Sequence, residues 1–167
     1  MAYTNMKNIR WQKPFVSIQG VHYRVDIYDE GTFTPVQLTA GPTPFVTDED
    51  ASDDFFAPIR TQTGNIEVCT AIPGGGTLRL GDILPENNIA RPVQLLELND
   101  GEEYVVWQGF LSCETYSQDY VGIPQVLDLS LISVLEAMDS VPLPTDYSGI
   151  QRVYTHFYKA LSAISNE

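Results

Sequence analysis

The stretch from residue 104 to 139 constrains the fold most, because its apolar periodicity changes partway along. Residues 104–111 (YVVWQGFL) are typical of a strand, and residues 125–130 alternate polar and apolar side chains. From residue 131 the apolar side chains recur every three or four positions, as on one face of a helix. Those side chains are Leu131, Val134, Leu135 and Met138. The pattern predicts two strands joined by a loop, with the second strand running directly into a helix.

The first of these strands contains a glycine that interrupts its alternation. We expect Tyr104, Val106 and Phe110 to share one buried face, with Gly109 at a bend or bulge. Alternation places Trp107 on the face opposite Val106, so one of these two side chains should be exposed.

Most of the remaining chain also reads as short strands separated by turns. Residues 21–28 alternate cleanly, and residues 35–39 are predicted to return as their partner. Residues 99–102 (NDGE) are the strongest turn signal and predict a hairpin. The sequence therefore predicts a mainly β protein, a β-barrel or sandwich of about eight short antiparallel strands with one or two C-terminal α-helices.

The end of the chain carries an apolar stripe with a period near that of an α-helix. The stripe consists of Ile150, Val153, Tyr154, Phe157, Leu161 and Ile164. We predict a β-barrel or sandwich domain over residues 1–140. Residues 141–167 are predicted to be a linker and an amphipathic helix that packs on this domain or on a partner. The candidate interface residues are Phe157, Tyr154, Leu161 and Trp107.

The charge of the chain argues against several classes of partner. Twenty-two acidic residues oppose nine basic ones, for a net charge of −13 over 167 residues. Binding to nucleic-acid phosphates depends on Lys and Arg, so we expect no specific nucleic-acid binding. No apolar run has the length of a membrane-spanning helix, so no membrane partner is expected. The acidity either keeps the protein soluble or lets a surface face DNA without adhering to it.

The sequence predicts no catalytic, cofactor-binding or metal site. His22 and His156 are the only imidazoles, too few for a histidine-rich zinc sphere. Residues 48–54 (DEDASDD) lack the glycine and glutamate positions of a calcium loop, although their binding of an ion stays open. Cys69 and Cys113 are expected to be buried, reduced thiols rather than a disulfide. We therefore expect no enzymatic activity and no cofactor.

Four aromatic residues leave a second function open. Trp11, Trp107, Tyr116 and Tyr120 could offer stacking faces to a sugar, which would make the chain a carbohydrate-recognising module of a surface or receptor-binding protein. The same side chains could instead pack within a sheet or a subunit interface. A binding module would expose aromatic side chains around a groove, whereas an assembly protein would expose apolar strand edges.

The order of several motifs resembles that of tail and baseplate proteins of bacteriophages and prophages, especially those of gut Bacteroidetes. The matching stretches are residues 107–111 (WQGFL), 123–124 (IP) and 127–135 (LDLSLISVL). Weaker matches lie at residues 53–68 (DDFFAPIRTQTGNIEV) and 21–29 (VHYRVDIYD).

This resemblance implies a non-enzymatic structural component of a tail, located at the baseplate, hub or tail tip. It implies assembly into a ring-like homo-oligomer and contacts with other phage tail proteins. The expected location is the virion tail, after assembly in the cytoplasm of the bacterial host.

Overall fold

The computed structural model describes residues 8–49, 61–113 and 125–137, and its strands form one sheet. The strands are β1 (Asn8–Val16), β2 (His22–Asp29), β3 (Val36–Gln37), β4 (Thr39–Ala40), β5 (Val46–Glu49), β6 (Gln62–Cys69), β7 (Pro92–Asn99), β8 (Glu102–Leu111) and β9 (Val126–Ser133). Two short helices accompany them, α1 (Leu80–Ile83) and α2 (Val134–Ala137). The predicted mainly β class is confirmed, because strands dominate the described residues.

The sheet curls into a nearly closed barrel. Six strands follow one another in antiparallel order, β1-β2-β7-β8-β9-β6. β3 pairs with β1 and β4 pairs with β6, so residues 36–40 connect the two ends of this path. Between them, the Leu38 amide donates a hydrogen bond to the Gln12 carbonyl oxygen at 2.7 Å. We call residues 36–40 the seam of the barrel.

The interior of the barrel is filled by one apolar cluster. Every long strand contributes alternate residues to it, as the two-residue period of a strand requires. The buried members are Trp11, Val25, Ile27, Leu38, Ile66, Val68, Leu78, Ile83, Val93, Leu95, Trp107, Leu111, Leu127, Leu129 and Leu131. A second, smaller cluster lies on the outer face, where Phe110 and Ile132 pack with Ala137 of α2.

The predicted pairing of residues 35–39 with residues 21–28 is wrong. β2 has β1 on one side and β7 on the other, so neither of its edges is free. β3 instead runs parallel to β1, with Trp11 opposite Val36 and Gln12 opposite Gln37. The turn after β2 therefore carries the chain to the far edge of β1.

The predicted hairpin at residues 99–102 is confirmed. Asn99 of β7 pairs with Glu102 of β8. Asp100 and Gly101 between them have φ angles of 50° and 85°. Two successive positive φ angles in a two-residue loop are what a type I′ turn needs, and Asp-Gly is a favoured sequence for it.

Gly109 does not mark a bulge, contrary to expectation. It pairs in register with Val93 and Ser133, and the bulge of this hairpin lies at Val106, the extra β8 residue between the pairs Leu95–Trp107 and Leu96–Val105. A Cβ atom at position 109 would lie 2.1 Å from the Ile132 carbonyl oxygen and 2.5 Å from Cη2 of Trp107. Gly109 is therefore required by close packing rather than by a bend.

The change from strand to helix is confirmed, but the helix begins three residues later than predicted. Leu131 is a fully buried core residue of β9, and α2 begins at Val134. The Ser133 hydroxyl oxygen accepts a hydrogen bond from the Glu136 amide at 3.3 Å. A serine whose side chain accepts from the amide three residues later is a helix N-cap, so Ser133 sets the start of the helix.

Candidate interaction surface

Half of β8 has a strand on only one side within the described residues. β9 pairs with Gly109, Phe110 and Leu111 and then turns into α2. β7 pairs with β8 along its whole length. Across the described part of the chain, no strand pairs with the second edge of residues 102–108, which we call the β8 edge.

Three consecutive apolar residues are exposed on this half-paired strand. Tyr104 is 55% exposed, Val105 52% and Val106 54%. Val106 is the extra residue of a bulge, so strict alternation does not hold across this run, and all three side chains reach water. The expected buried face for Tyr104, Val106 and Phe110 is therefore wrong for the first two. Phe110 is buried, but in the small cluster outside the barrel.

Of the four predicted interface residues, one lies in the described part of the chain. Trp107 is 8% exposed and points into the barrel. Its ring meets that of Phe45 edge to face, with centroids 5.6 Å apart. In this structure Trp107 is a core residue that supports the β8 edge from inside. Phe157, Tyr154 and Leu161 lie outside the described residues.

An arginine binds the carboxylate nearest to the exposed residues. Arg24 donates to both carboxylate oxygens of Glu103, at 2.9 and 3.1 Å. The same guanidinium donates to both oxygens of the fully buried Asp26, at 2.8 and 2.7 Å. The hydrogen bonds to Asp26 raise the pKa of Arg24 above its ordinary value. Glu103 therefore does not present an unpaired negative charge beside Tyr104.

A polar row crosses the outer face of the barrel at one register. Its members lie side by side in the order Gln37, Gln12, Asp26, Gln94, Gln108. Gln37 donates to Gln12 at 2.9 Å and Gln12 donates to Asp26 at 3.2 Å. The Tyr28 hydroxyl donates to Gln94 at 2.9 Å, and burial raises the pKa of this phenol to about 12. These polar groups largely satisfy one another, which is a structural role.

Trp11 is covered by charged side chains. The guanidinium carbons of Arg10 and Arg91 lie 4.4 and 4.9 Å from its ring centroid, and the residue is 3% exposed. Asp29 bonds Arg10 and lies 3.5 Å from Arg91, whose pKa is lowered by burial. Neither Trp11 nor Trp107 offers a free face to a sugar. The other two candidate aromatic residues, Tyr116 and Tyr120, lie outside the described residues.

A polar cleft adjoins these charges. Its volume is about 450 Å³. It is lined by Asp29, Glu30, Glu86, Asn87, Ile89, Ala90 and Arg91. Its one lining arginine lies 3.5 Å from the Asp29 carboxylate and donates to the Asp82 carbonyl oxygen at 2.7 Å. The cleft brings no nucleophile and base together.

Lys13 is the most unusual ionisable residue in the barrel. It is 1% exposed and follows Trp11 on the inward face of β1. Its ammonium donates to the Pro44 carbonyl oxygen and to the Glu67 carbonyl oxygen, the latter at 3.1 Å. Burial lowers the pKa of Lys13 to about 7, against an opposing effect of Glu67. Lys13 thus links β1 to β6 next to the seam.

The remaining candidates for chemistry are dispersed. Cys69 is half-buried and Cys113 is exposed, and both are free thiols. The expectation of burial is therefore wrong for Cys113. Within residues 8–49, 61–113 and 125–137, no three His, Cys, Asp or Glu side chains form a group that could hold a metal ion. Of the acidic residues 48–54, only Asp48 and Glu49 are described, and both belong to β5.

Of the described helices, neither is long and apolar enough to cross a membrane.

The β8 edge could not be located from periodicity alone. Its sequence signal is the pair Val105-Val106, which breaks the alternation beside a charged turn. The signal can be interpreted only with the structure, which shows that β9 stops pairing with β8 after Ser133. Comparison of this chain with protein-family models, with curated proteins and with solved structures gives no match.

Proposed function

We propose that this chain is a non-enzymatic structural component of a phage or prophage tail, at the baseplate, hub or tail tip. It acts through self-assembly into a ring-like homo-oligomer and through contacts with other tail proteins. It is located in the virion tail and is made and assembled in the cytoplasm of the bacterial host.

The assignment to a tail rests on the sequence resemblance of residues 107–111, 123–124 and 127–135. In the described structure, the first and last of these stretches belong to β8, β9 and the start of α2. They contain the close contact at Gly109 and the cap at Ser133. The resembling motif is therefore the part of the chain that shapes the β8 edge.

The single observation that carries an assembly role is the exposed apolar run Tyr104-Val105-Val106 on the β8 edge. An unpaired strand with apolar side chains is a template for pairing with another chain, and monomeric proteins usually protect such edges. No comparable observation among the described residues favours sugar binding, because both described tryptophans are buried. Assembly through strand edges is the better-supported reading.

The test is an association experiment with the full chain. Sedimentation is measured from about 1 to about 100 μM, the range in which weak subunit contacts become populated. The same protein is then mixed with the product of each gene that flanks its own, and co-elution is measured. We expect self-association, a complex with at least one flanking product, or both.

A structural tail role predicts a further result from electron microscopy. Particles of the associated protein, alone or with the flanking products, should show closed rings or tail-tip assemblies. A chain that sediments as a monomer at the highest concentration and binds none of the flanking products does not have the proposed function.

A further inference from the structure

We propose that the β8 edge pairs, antiparallel, with the β8 edge of a second copy of this chain. This inference rests on the proposed function, because it names the surface through which self-assembly begins. The two hairpins would form one continuous sheet across the subunit boundary, with β7 on the outside of each copy.

The β8 edge is more open to strand addition than the other sheet margin. β5 is the short strand at that margin, with four residues paired to β6. It ends in Asp48 and Glu49, and short acidic edges discourage pairing. The β8 edge offers seven residues, 102–108: it begins with Glu102 and Glu103, has a bulge at Val106, and its centre is apolar. A strand that adds to the sheet is therefore expected to pair with β8.

The uncharged centre of the β8 edge makes it the part of the surface where a second copy meets the least repulsion. Two molecules with a net charge of −13 repel each other over most of their surfaces. At the β8 edge the central residues are uncharged, and Glu103 is held by Arg24 through two hydrogen bonds. Glu102 lies at the turn end of the edge, so in pairing centred on Val105 it is far from the partner's Glu102 and Glu103. A basic partner would be drawn instead to acidic surfaces such as Asp48 and Glu49.

The order of residues suits a two-fold arrangement. In antiparallel self-pairing centred on Val105, Tyr104 lies beside the partner's bulge residue Val106. Glu103 and Glu102 lie beside the backbone of the partner's Trp107 and Gln108, and the Trp107 indole stays inside the barrel. No glutamate then faces a glutamate, and aromatic and β-branched side chains meet across the new pair, which is a favourable cross-strand combination. Each copy uses the same patch, as a two-fold interface requires.

The first test compares two substitutions with the same chemistry. Val105→Lys places two ammonium groups face to face at the two-fold axis, so the dissociation constant for self-association should rise by about tenfold or more. Val126→Lys is the matched control, because Val126 is 51% exposed but lies outside the β8 edge, at the start of β9. Both variants reduce the net negative charge equally, so general repulsion cannot explain a difference between them.

The second test fixes the register. In a Cys113→Ser background, which removes the exposed thiol, Val105→Cys should form a disulfide-linked dimer under mild oxidation. Val126→Cys in the same background should remain a monomer in a non-reducing gel.

The outcomes separate this inference from the proposed function. Loss of association in Val105→Lys alone, with cross-linking through Val105→Cys alone, supports β8 pairing. If the unmodified chain associates and Val105→Lys associates equally well, the pairing is overturned while the assembly function stands. If the unmodified chain stays a monomer but binds a flanking product, the self-pairing is overturned and the tail role stands. If it does neither, both fail.

Discussion

At the scale of single residues, Lys13 shows how a barrel can tolerate a cation in its interior. Its ammonium has two carbonyl acceptors and no carboxylate hydrogen-bonded to it among the described residues. Burial therefore disfavours the charged form and lowers the pKa from an ordinary 10.5 to about 7. The amine still donates hydrogen bonds when it is neutral, so its loss of charge need not open the seam.

The lowered pKa of Lys13 predicts how stability depends on pH. Between about pH 7 and pH 10.5 the unfolded chain holds more protons on this amine than the folded chain, so its contribution to the free energy of unfolding rises with pH. From pH 6 to pH 9 this rise amounts to about 3 kcal/mol. Urea unfolding at both pH values measures it.

The control is Lys13→Met, which keeps the length of the side chain and removes the titrating group. The pH dependence that remains in this variant belongs to other residues. The difference in unfolding free energy between the two proteins should move in favour of the lysine as pH increases. An equal difference at pH 6 and pH 9 would contradict the lowered pKa.

Gly109 is the second residue whose environment predicts a clear outcome. Gly109→Ala would force a methyl group against backbone and a tryptophan ring, so we expect a loss of about 3 kcal/mol in unfolding free energy. Gly81→Ala is the control, because Gly81 lies in α1 with no atom near its missing Cβ. That variant should gain stability by up to about 1 kcal/mol. Chemical denaturation of both variants measures the contrast.

At the scale of elements, the junction between β9 and α2 depends on one hydroxyl. Ser133 accepts from the amide of Glu136 in α2 and, at 3.2 Å, from the amide of Gln62 in β6. The same side chain thus caps the helix and accepts a hydrogen bond from the neighbouring strand. The sequence signal, serine followed three residues later by glutamate, marks the true start of α2 better than the apolar spacing from Leu131.

Removing this hydroxyl should destabilise the junction. Ser133→Ala leaves two amides without their acceptor, and we expect a loss of about 1 kcal/mol in unfolding free energy. Ser133→Thr keeps a hydroxyl and should recover most of that loss. Thermal or urea unfolding provides the comparison. Equal stability of the alanine and threonine variants would show that the hydroxyl does not act as a cap.

Local sequence patterns correctly predicted the elements whose conformation depends only on residues adjacent in the sequence. The Asp100-Gly101 turn was predictable because two positive φ angles select those residue types. The partner of β3 was not, because it depends on which strand edges the rest of the sheet has already occupied. The exposure of Tyr104 was missed for the same reason, since it follows from where β9 departs.

At the scale of the whole molecule, net charge and the β8 edge act in opposite directions. The charge of −13 keeps copies apart, and the apolar run Tyr104-Val105-Val106 brings them together. Salt screens the first effect and leaves the second almost unchanged. The degree of self-association should therefore depend on ionic strength.

We expect association to strengthen when NaCl is raised from about 0.05 to about 0.5 M, with a dissociation constant that falls several-fold. Sedimentation equilibrium at the two salt concentrations measures the change. In Val126→Lys, which has a smaller net negative charge, the salt effect should be slightly weaker. Association that weakens with salt would mean that ion pairs hold the copies together.

The seam also determines where the nearly closed barrel opens in native-state fluctuations. β3 and β4 hold it with two register pairs each, whereas β1–β2 and β7–β8 share eight. Segments with few hydrogen-bonded pairs open first in native-state fluctuations. Deuterium should therefore replace the amide proton of Leu38 sooner than that of Val25, although both side chains are buried. Each such opening would admit water to Lys13 and leave the six-strand path intact.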